Sequence, residues 1–158
     1  MKQGLYLTCS AETTDPIAAF AGEKAERPDA LLCDGTGMTE DELRKFAAAV
    51  QAENVAFIVK NDIEAALKIA ADGVQIDFRP DIKKIRSKIG DIALGVVCAT
   101  RDEAMRAGEA GADYIGFDGE NAGELTEWWA ELFNVPCVDF NLSDPSDAAD
   151  FRVKPLGG

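Results

Sequence analysis

Three times in this chain an aspartate is followed by a short, mostly apolar run and then by a second aspartate. The copies are Asp29-Ala-Leu-Leu-Cys-Asp34, Asp72-Gly-Val-Gln-Ile-Asp77 and Asp113-Tyr-Ile-Gly-Phe-Asp118; a fourth, Asp150-Phe-Arg-Val-Lys154, ends on lysine. They recur about every forty residues, a period too long for one strand or helix and suited to a repeated supersecondary unit. Whatever the chain folds into must therefore offer four similar places to one kind of segment.

Strand-length apolar runs fill the copies and the gaps between them, at residues 5–9, 30–34, 55–60, 73–77, 93–98, 114–118, 137–141 and 151–154. Helix-like stretches separate them at 15–27, 39–51, 62–71, 81–89, 100–110, 122–133 and 143–149. Pro16 sits at a favoured first helical position. Thr39-Glu-Asp-Glu42 and Thr100-Arg-Asp-Glu103 read as capping boxes. Eight strands alternating with helices imply a parallel sheet, and eight of them a compact (β/α)8 TIM barrel over residues 1–158 as one domain. At 158 residues the loops must be very short and the helix after strand eight absent. An open doubly wound sheet is the alternative.

Alternate residues of a strand face opposite sides. Val74 and Ile76 then face the outer helices, with Gln75 and Asp77 inward; Ile115 and Phe117 face out, with Gly116 and Asp118 inward. Leu32 and Asp34 face in on strand two, and Lys60 on strand three. On strand eight the same rule sends Phe151 and Val153 out and Arg152 and Lys154 in, and strand seven adds Asp139. Asp34, Asp77, Asp118 and Lys154 are thus expected as one layer at the C-terminal mouth, where barrel enzymes keep their chemistry. Three carboxylates so close should push at least one pKa up unless Lys60, Lys154, Arg152 or a hard cation such as Mg2+ offsets them. The layer is either an active-site mouth or a salt-bridged plug.

Composition removes several function classes. The net charge of −13, from 29 acidic and 16 basic residues, argues against nucleic acid or an anionic membrane as partner. No apolar run has bilayer length, and the first residues lack a signal-peptide core, so a cytoplasmic protein is expected. The chain has no histidine, which excludes His-based acid–base and nucleophile chemistry. Cys9, Cys33, Cys98 and Cys137 show no CxxC spacing and read as packed free thiols, with Cys98 the candidate nucleophile among them. Gly35-Thr-Gly37 reads as a turn. Trp128-Trp129 is expected in the core or a subunit interface, and a barrel flank lacking its eighth helix leaves room for a homo-oligomer.

The middle of the chain resembles the thiamine-phosphate synthase/TenI family of (β/α)8 barrels. The resemblance rests on Ala56-Phe-Ile-Val-Lys-Asn-Asp62, on Ala65-Ala-Leu-Lys-Ile-Ala-Ala-Asp-Gly-Val74, on Ile89-Gly-Asp-Ile-Ala-Leu-Gly-Val96 and on Glu109-Ala-Gly-Ala-Asp-Tyr-Ile-Gly116. It implies coupling of a hydroxymethylpyrimidine pyrophosphate to a thiazole phosphate, with Mg2+ holding the pyrophosphate and a small phosphorylated molecule as substrate. It further implies that Asn61 contacts pyrophosphate and that Asp62 and Asp81 ligate the metal. Lys60, Asp77, Asp118 and Lys154 stand as candidate catalytic groups, with Asn61, Asp34 and Asp139 as ligand-binding ones. Elsewhere the family pattern is replaced: Leu32-Cys-Asp-Gly stands for a Gln-x-Arg-x-Lys signature, Ile63 for an arginine and Val97 for a serine. Two functions remain open: a Mg2+-dependent transferase of the thiamine-phosphate synthase type, and a non-catalytic minimal barrel that binds or scaffolds.

Overall fold

The apolar runs alternate with the strand period of two, and several helices start at side-chain caps, so local signals place most elements. The computed structural model of the chain describes residues 3–23 and 26–156. In order these form β1 (Gly4–Cys9), α1 (Pro16–Ala21), β2 (Ala30–Cys33), α2 (Glu40–Gln51), β3 (Ala56–Lys60), α3 (Ile63–Lys68) and β4 (Gly73–Asp77). Then follow α4 (Ile82–Ile89), β5 (Ala93–Cys98), α5 (Arg101–Glu109), β6 (Tyr114–Phe117), α6 (Ala122–Leu132), β7 (Cys137–Asp139) and β8 (Phe151–Pro155). Each strand pairs in parallel with its chain neighbour and β8 closes on β1, so the sheet is a closed barrel and not an open one. Among the described residues no helix follows β8.

The capping box at Thr39 forms as expected, with Thr39 and Glu42 bonding reciprocally. At α5 Thr100 accepts the Glu103 N–H, but Glu103 reaches back to Ala99. The helix expected at 143–149 does not form. The Asp139 carboxylate instead accepts the N–H groups of Asn141 and Ser146, both at 2.9 Å, and folds that segment into turns. Helix α1 stops at Ala21, short of the expected residue 27, with Gly22 closing it; residues 24 and 25 lie outside the described residues.

Two apolar layers result. Between barrel and helices, Leu7, Leu31, Phe57, Val74, Leu94 and Ile115 pack against Phe46, Val50, Ile85 and Trp129. Trp129 is buried, stacks on Phe133 at 4.1 Å and donates its indole N–H to Val135, while Trp128 carries the Arg101 guanidinium over its face at 5.0 Å. The Trp pair therefore belongs to the core and its margin. Inside the barrel, Tyr6, Ala30, Leu32, Ile58, Tyr114 and Val138 form a second cluster, joined by Phe140, Phe151 and Val153. This lumen is narrow. A Cβ at Gly95 would lie 2.1 Å from the Tyr114 ring, and one at Gly116 2.6 Å from Phe140, so both strands use glycine to admit an aromatic from a neighbour.

The faces expected for β2, β4 and β6 are observed, but that of β8 is reversed. Phe151 and Val153 fill the lumen, while Arg152 and Lys154 point outward to Glu26 and Glu23, the latter pair at 2.6 Å. The rule that apolar residues face the outer layer needs a helix to pack on, and among the described residues none follows β8. Its outer side meets acids that follow α1, so the basic residues go there. Strand β8 pairs with β1 from Gly4↔Phe151 to Thr8↔Pro155, but with β7 through Val138↔Phe151 alone.

The first aspartate of every repeat has a fixed structural task. Asp29, Asp72, Asp113 and Asp150 each accept, at 2.8 Å, the N–H of the preceding odd-numbered strand: Leu5, Phe57, Leu94 and Cys137. The backbone N–H of the same aspartate donates back to the carbonyl of the same residue. Carbonyls of Asp29, Asp72 and Asp150 then accept from Ala56, Ala93 and Gly4 on the next strand. The matching donor for Asp113 would be Pro136, which has no N–H.

Candidate functional site

The second aspartates end up at the opposite rim. Asp34 follows β2, Lys60 ends β3, Asp77 ends β4 and Asp118 follows β6; all four line one cavity of about 270 Å3 at the C-terminal mouth. Lys154 and Asp139 do not join them. Lys154 is on the outer face of β8, and Asp139 is buried on the outer side of β7 beneath the turns it holds. The mouth is therefore open and acidic, with no lysine plug from strand eight.

Each acid of the mouth is held differently. Asp34 accepts the Thr36 N–H at 3.0 Å and the Thr36 hydroxyl at 2.7 Å. These bonds, aided by the charge of Lys60, hold its carboxyl below the usual value. The rise expected of a crowded acid is thus reversed at Asp34, because donors and solvent outweigh its neighbours. Among the described residues Asp118 accepts only the Gly119 N–H, at 2.8 Å. Neither Asp77 nor Lys60 takes part in an ion pair among the described residues.

Asn61, expected to meet pyrophosphate, lies in the left-handed region with φ 60°. Its side-chain oxygen accepts the Asp77 N–H at 3.1 Å while its own N–H donates to Gln75 at 2.7 Å. It ties the end of β3 to β4. Asp62 caps α3 by accepting the Ala65 N–H, and both oxygens of Asp81 are taken by Arg79 at 3.0 and 2.9 Å. Among the described residues no group of three acidic, cysteine or histidine side chains converges as a metal cage. As positioned, these side chains do not fit a Mg2+ ion.

Beneath the acids lies a floor that strand patterning left unassigned. The Tyr6 and Tyr114 hydroxyls approach one another at 2.7 Å and the Gln75 Oε1 at 2.9 and 2.7 Å. Proton counting fixes the amide orientation. With Oε1 at this vertex both phenol protons find an acceptor; with the NH2 group there, one phenol proton would have none. Burial pushes both phenols well up, so they remain protonated donors. Among the described residues the Gln75 Nε2 has no protein partner, yet no buried polar side-chain atom lacks one, so this NH2 group reaches the cavity that Gln75 lines. The signal for this floor is in the sequence: the chain's two tyrosines and Gln75 all fall on inward positions.

Cys98 is no nucleophile of the mouth. It packs against the helices, and burial pushes its thiol up to about 12. Cys9 and Cys33 also face the helices. The Cys33 thiol donates to Met38 Sδ at 4.0 Å and the Cys9 thiol to the Ser10 carbonyl at 3.7 Å. The neighbouring Cys33 brings the Cys9 thiol down to about 7, while Cys9 and burial raise that of Cys33. A larger cavity, about 630 Å3, runs outside the barrel between α1 and α2, past Phe20, Arg27 and Asn54. Two of its three acids, Glu23 and Glu26, are already paired with Lys154 and Arg152, so the mouth is the stronger candidate site.

A family model described as thiamine monophosphate synthase matches residues 35–120. A thiamine-phosphate synthase of Erythrobacter litoralis is 38% identical over 124 residues, covering 65% of this chain and 57% of that protein. One of Bacillus licheniformis is 46% identical over 112 residues, covering 65% of this chain and 49% of that protein. The chain thus spans about half the length of these relatives. Among solved structures, a thiamine phosphate pyrophosphorylase from Pyrococcus furiosus superposes with a TM-score of 0.76 at 17% identity, over 96% of this chain and 85% of its own. FabK from Thermotoga maritima does so at 0.63 and 18%, over 87% of this chain and 50% of its own. At such identities the superpositions speak for the barrel alone. No helix among the described residues is long and apolar enough to cross a membrane.

Proposed function

The chain belongs to the thiamine monophosphate synthase family, and from that premise we propose that its mouth binds the ring end of a thiamine-precursor-type molecule without coupling it. The observation that carries this reading is the sign of the cavity: Asp34, Asp77 and Asp118 face Lys60, the one basic side chain among the described lining residues. The family reaction would have to stabilise a departing diphosphate there. Like charges in contact cost about 1 kcal/mol in water and several times more where solvent is thinned. One lysine does not offset three carboxylates.

A neutral or cationic ring meets the opposite environment. Carboxylates accept hydrogen bonds from an amino substituent, and the Gln75 NH2 group supplies donors from the floor. The phosphorylated end of such a ligand would point to solvent. Barrel enzymes commonly seat phosphate on the loops after strands seven and eight. Here Asp139 already takes the Asn141 and Ser146 N–H groups of the β7 loop. Magnesium has no role in this binding mode.

A second reading, the Mg2+-dependent transferase acting on a phosphorylated substrate, draws support from the Lys60-Asn61-Asp62 run inside the family-matched segment. Calorimetric titration with hydroxymethylpyrimidine, its diphosphate and the thiazole phosphate, beside a coupling assay with Mg2+, separates the two. The expected result is tighter binding of the pyrimidine than of its diphosphate, unchanged by Mg2+, with no coupled product. Sustained product formation would assign the transferase instead, and no binding of any of the three would overturn both.

A further inference from the structure

Behind the mouth, on the outer side of the barrel wall, three sulfur atoms converge that the proposed function does not use. Cys9 and Cys33 are register partners at the ends of β1 and β2, on the same face. Adjacent strands lie about 4.8 Å apart, so their side chains stand side by side. The third sulfur comes from the loop after β2. A turn closed by the Met38 N–H on Gly35, at 2.9 Å, with Gly37 at φ 84°, folds the chain back and brings the Met38 Sδ to 4.0 Å from the Cys33 Sγ. A cavity of about 380 Å3, lined by Cys9, Met38, Thr13, Asp34, Lys45 and Phe46 among others, opens onto this cluster from outside.

We propose that Cys9, Cys33 and Met38 form a three-sulfur site for a monovalent thiophilic metal ion, Cu(I) being the ion whose chemistry it suits. Two thiolates and a thioether are the soft set that selects Cu(I) over harder cations. The spacing agrees. Metal–sulfur bonds of about 2.3 Å in a trigonal plane place neighbouring sulfurs about 4.0 Å apart, which is the Cys33–Met38 separation observed. Binding Cu(I) releases both thiol protons to solvent and leaves a complex of net charge −1. The entry cavity, lined by Asp15, Asp34 and Glu42 beside Lys45, draws in a cation rather than an anion. No electron is transferred. A disulfide between the two cysteines is the competing fate of the pair, and it would abolish the site.

The test is anaerobic titration of the full chain with Cu(I) against a competing chelator, followed by X-ray absorption of the loaded protein. One ion per chain in a three-sulfur shell is expected. Cys33→Ser should weaken binding by at least about a hundredfold, beyond the loss typical of an outer-shell change, and Met38→Leu by about tenfold with the shell reduced to two sulfurs. Cys98→Ser and Cys137→Ser should bind as the parent does, and Mg2+ should not compete. Since Cys33 is fully buried, Met38→Leu, at a half-buried loop position, keeps the test valid should Cys33→Ser misfold. A shell unchanged by Met38→Leu, stoichiometric binding that survives Cys33→Ser, or a Cys9–Cys33 disulfide that persists under reductant would overturn the proposal.

Discussion

At the lower rim of the barrel, Asp29, Asp72, Asp113 and Asp150 each accept a backbone N–H from the preceding strand. At the upper rim Asp34, Asp77 and Asp118 crown the even-numbered strands that three of those four begin, yet none accepts an N–H from a neighbouring strand. The difference follows from strand polarity. All strands run the same way, so the N-terminal rim leaves N–H groups unpaired and the C-terminal rim leaves carbonyls. A carboxylate completes the first rim and is repelled by the second. Acids at the lower rim therefore hold the fold together, while those at the mouth need a local turn, a cation or a ligand.

Three substitutions break or sharpen this contrast. Asp72→Ala removes the acceptor for Phe57 and for the Gln51 amide, and should cost about 2 kcal/mol of unfolding free energy, the range for hydrogen bonds to charged groups. A denaturant midpoint unchanged from the parent would mean that the lower acids are ornamental. Asp34→Ala should cost less, because only the Thr36 turn is lost, and the loss should depend on pH. The folded chain holds the Asp34 carboxyl below its unfolded value. Its contribution is thus complete above the ordinary carboxylate pKa of about 4 and fades as pH falls through the lower folded value. The stability gap between parent and variant should close on acidification; a widening gap contradicts the Thr36 and Lys60 account. Smallest of all, Asp118→Asn should leave thermal stability within about 0.5 kcal/mol of the parent or raise it slightly, as expected of an exposed acid with only a local partner. A clear loss would place that carboxylate in the framework after all.

Much of the barrel was legible from residues alone. The repeat and the alternation within Gly73–Asp77 and Tyr114–Phe117 gave strand number, direction and facing, because helices cover those strands and the inside–outside contrast is complete. Strand β8 defeated the same rule, since an uncovered strand puts its apolar residues into the lumen. Lys154 left the candidate site for that reason. Asp139 left it because β7 points Val138, and not its neighbours, inward. Strand alternation places Tyr6, Gln75 and Tyr114 inward, but their meeting joins residues far apart in sequence, which no local pattern encodes. The sulfur cluster escaped likewise: Met38 reaches Cys33 through a loop conformation that sequence spacing does not encode.

The thin pairing of β7 with β8 has a consequence for how this molecule is made and how it breathes. As the chain leaves the ribosome, every strand but one can add to its predecessor, and until β8 arrives both β1 and β7 are bare sheet edges, open to pairing with other chains. The last strand then grips β1 along its length, but holds β7 mainly through the Asp150–Cys137 pair of bonds. The finished barrel is a hoop with one weak joint. Amide exchange should be fastest there, and the joint is where the hoop would first come undone.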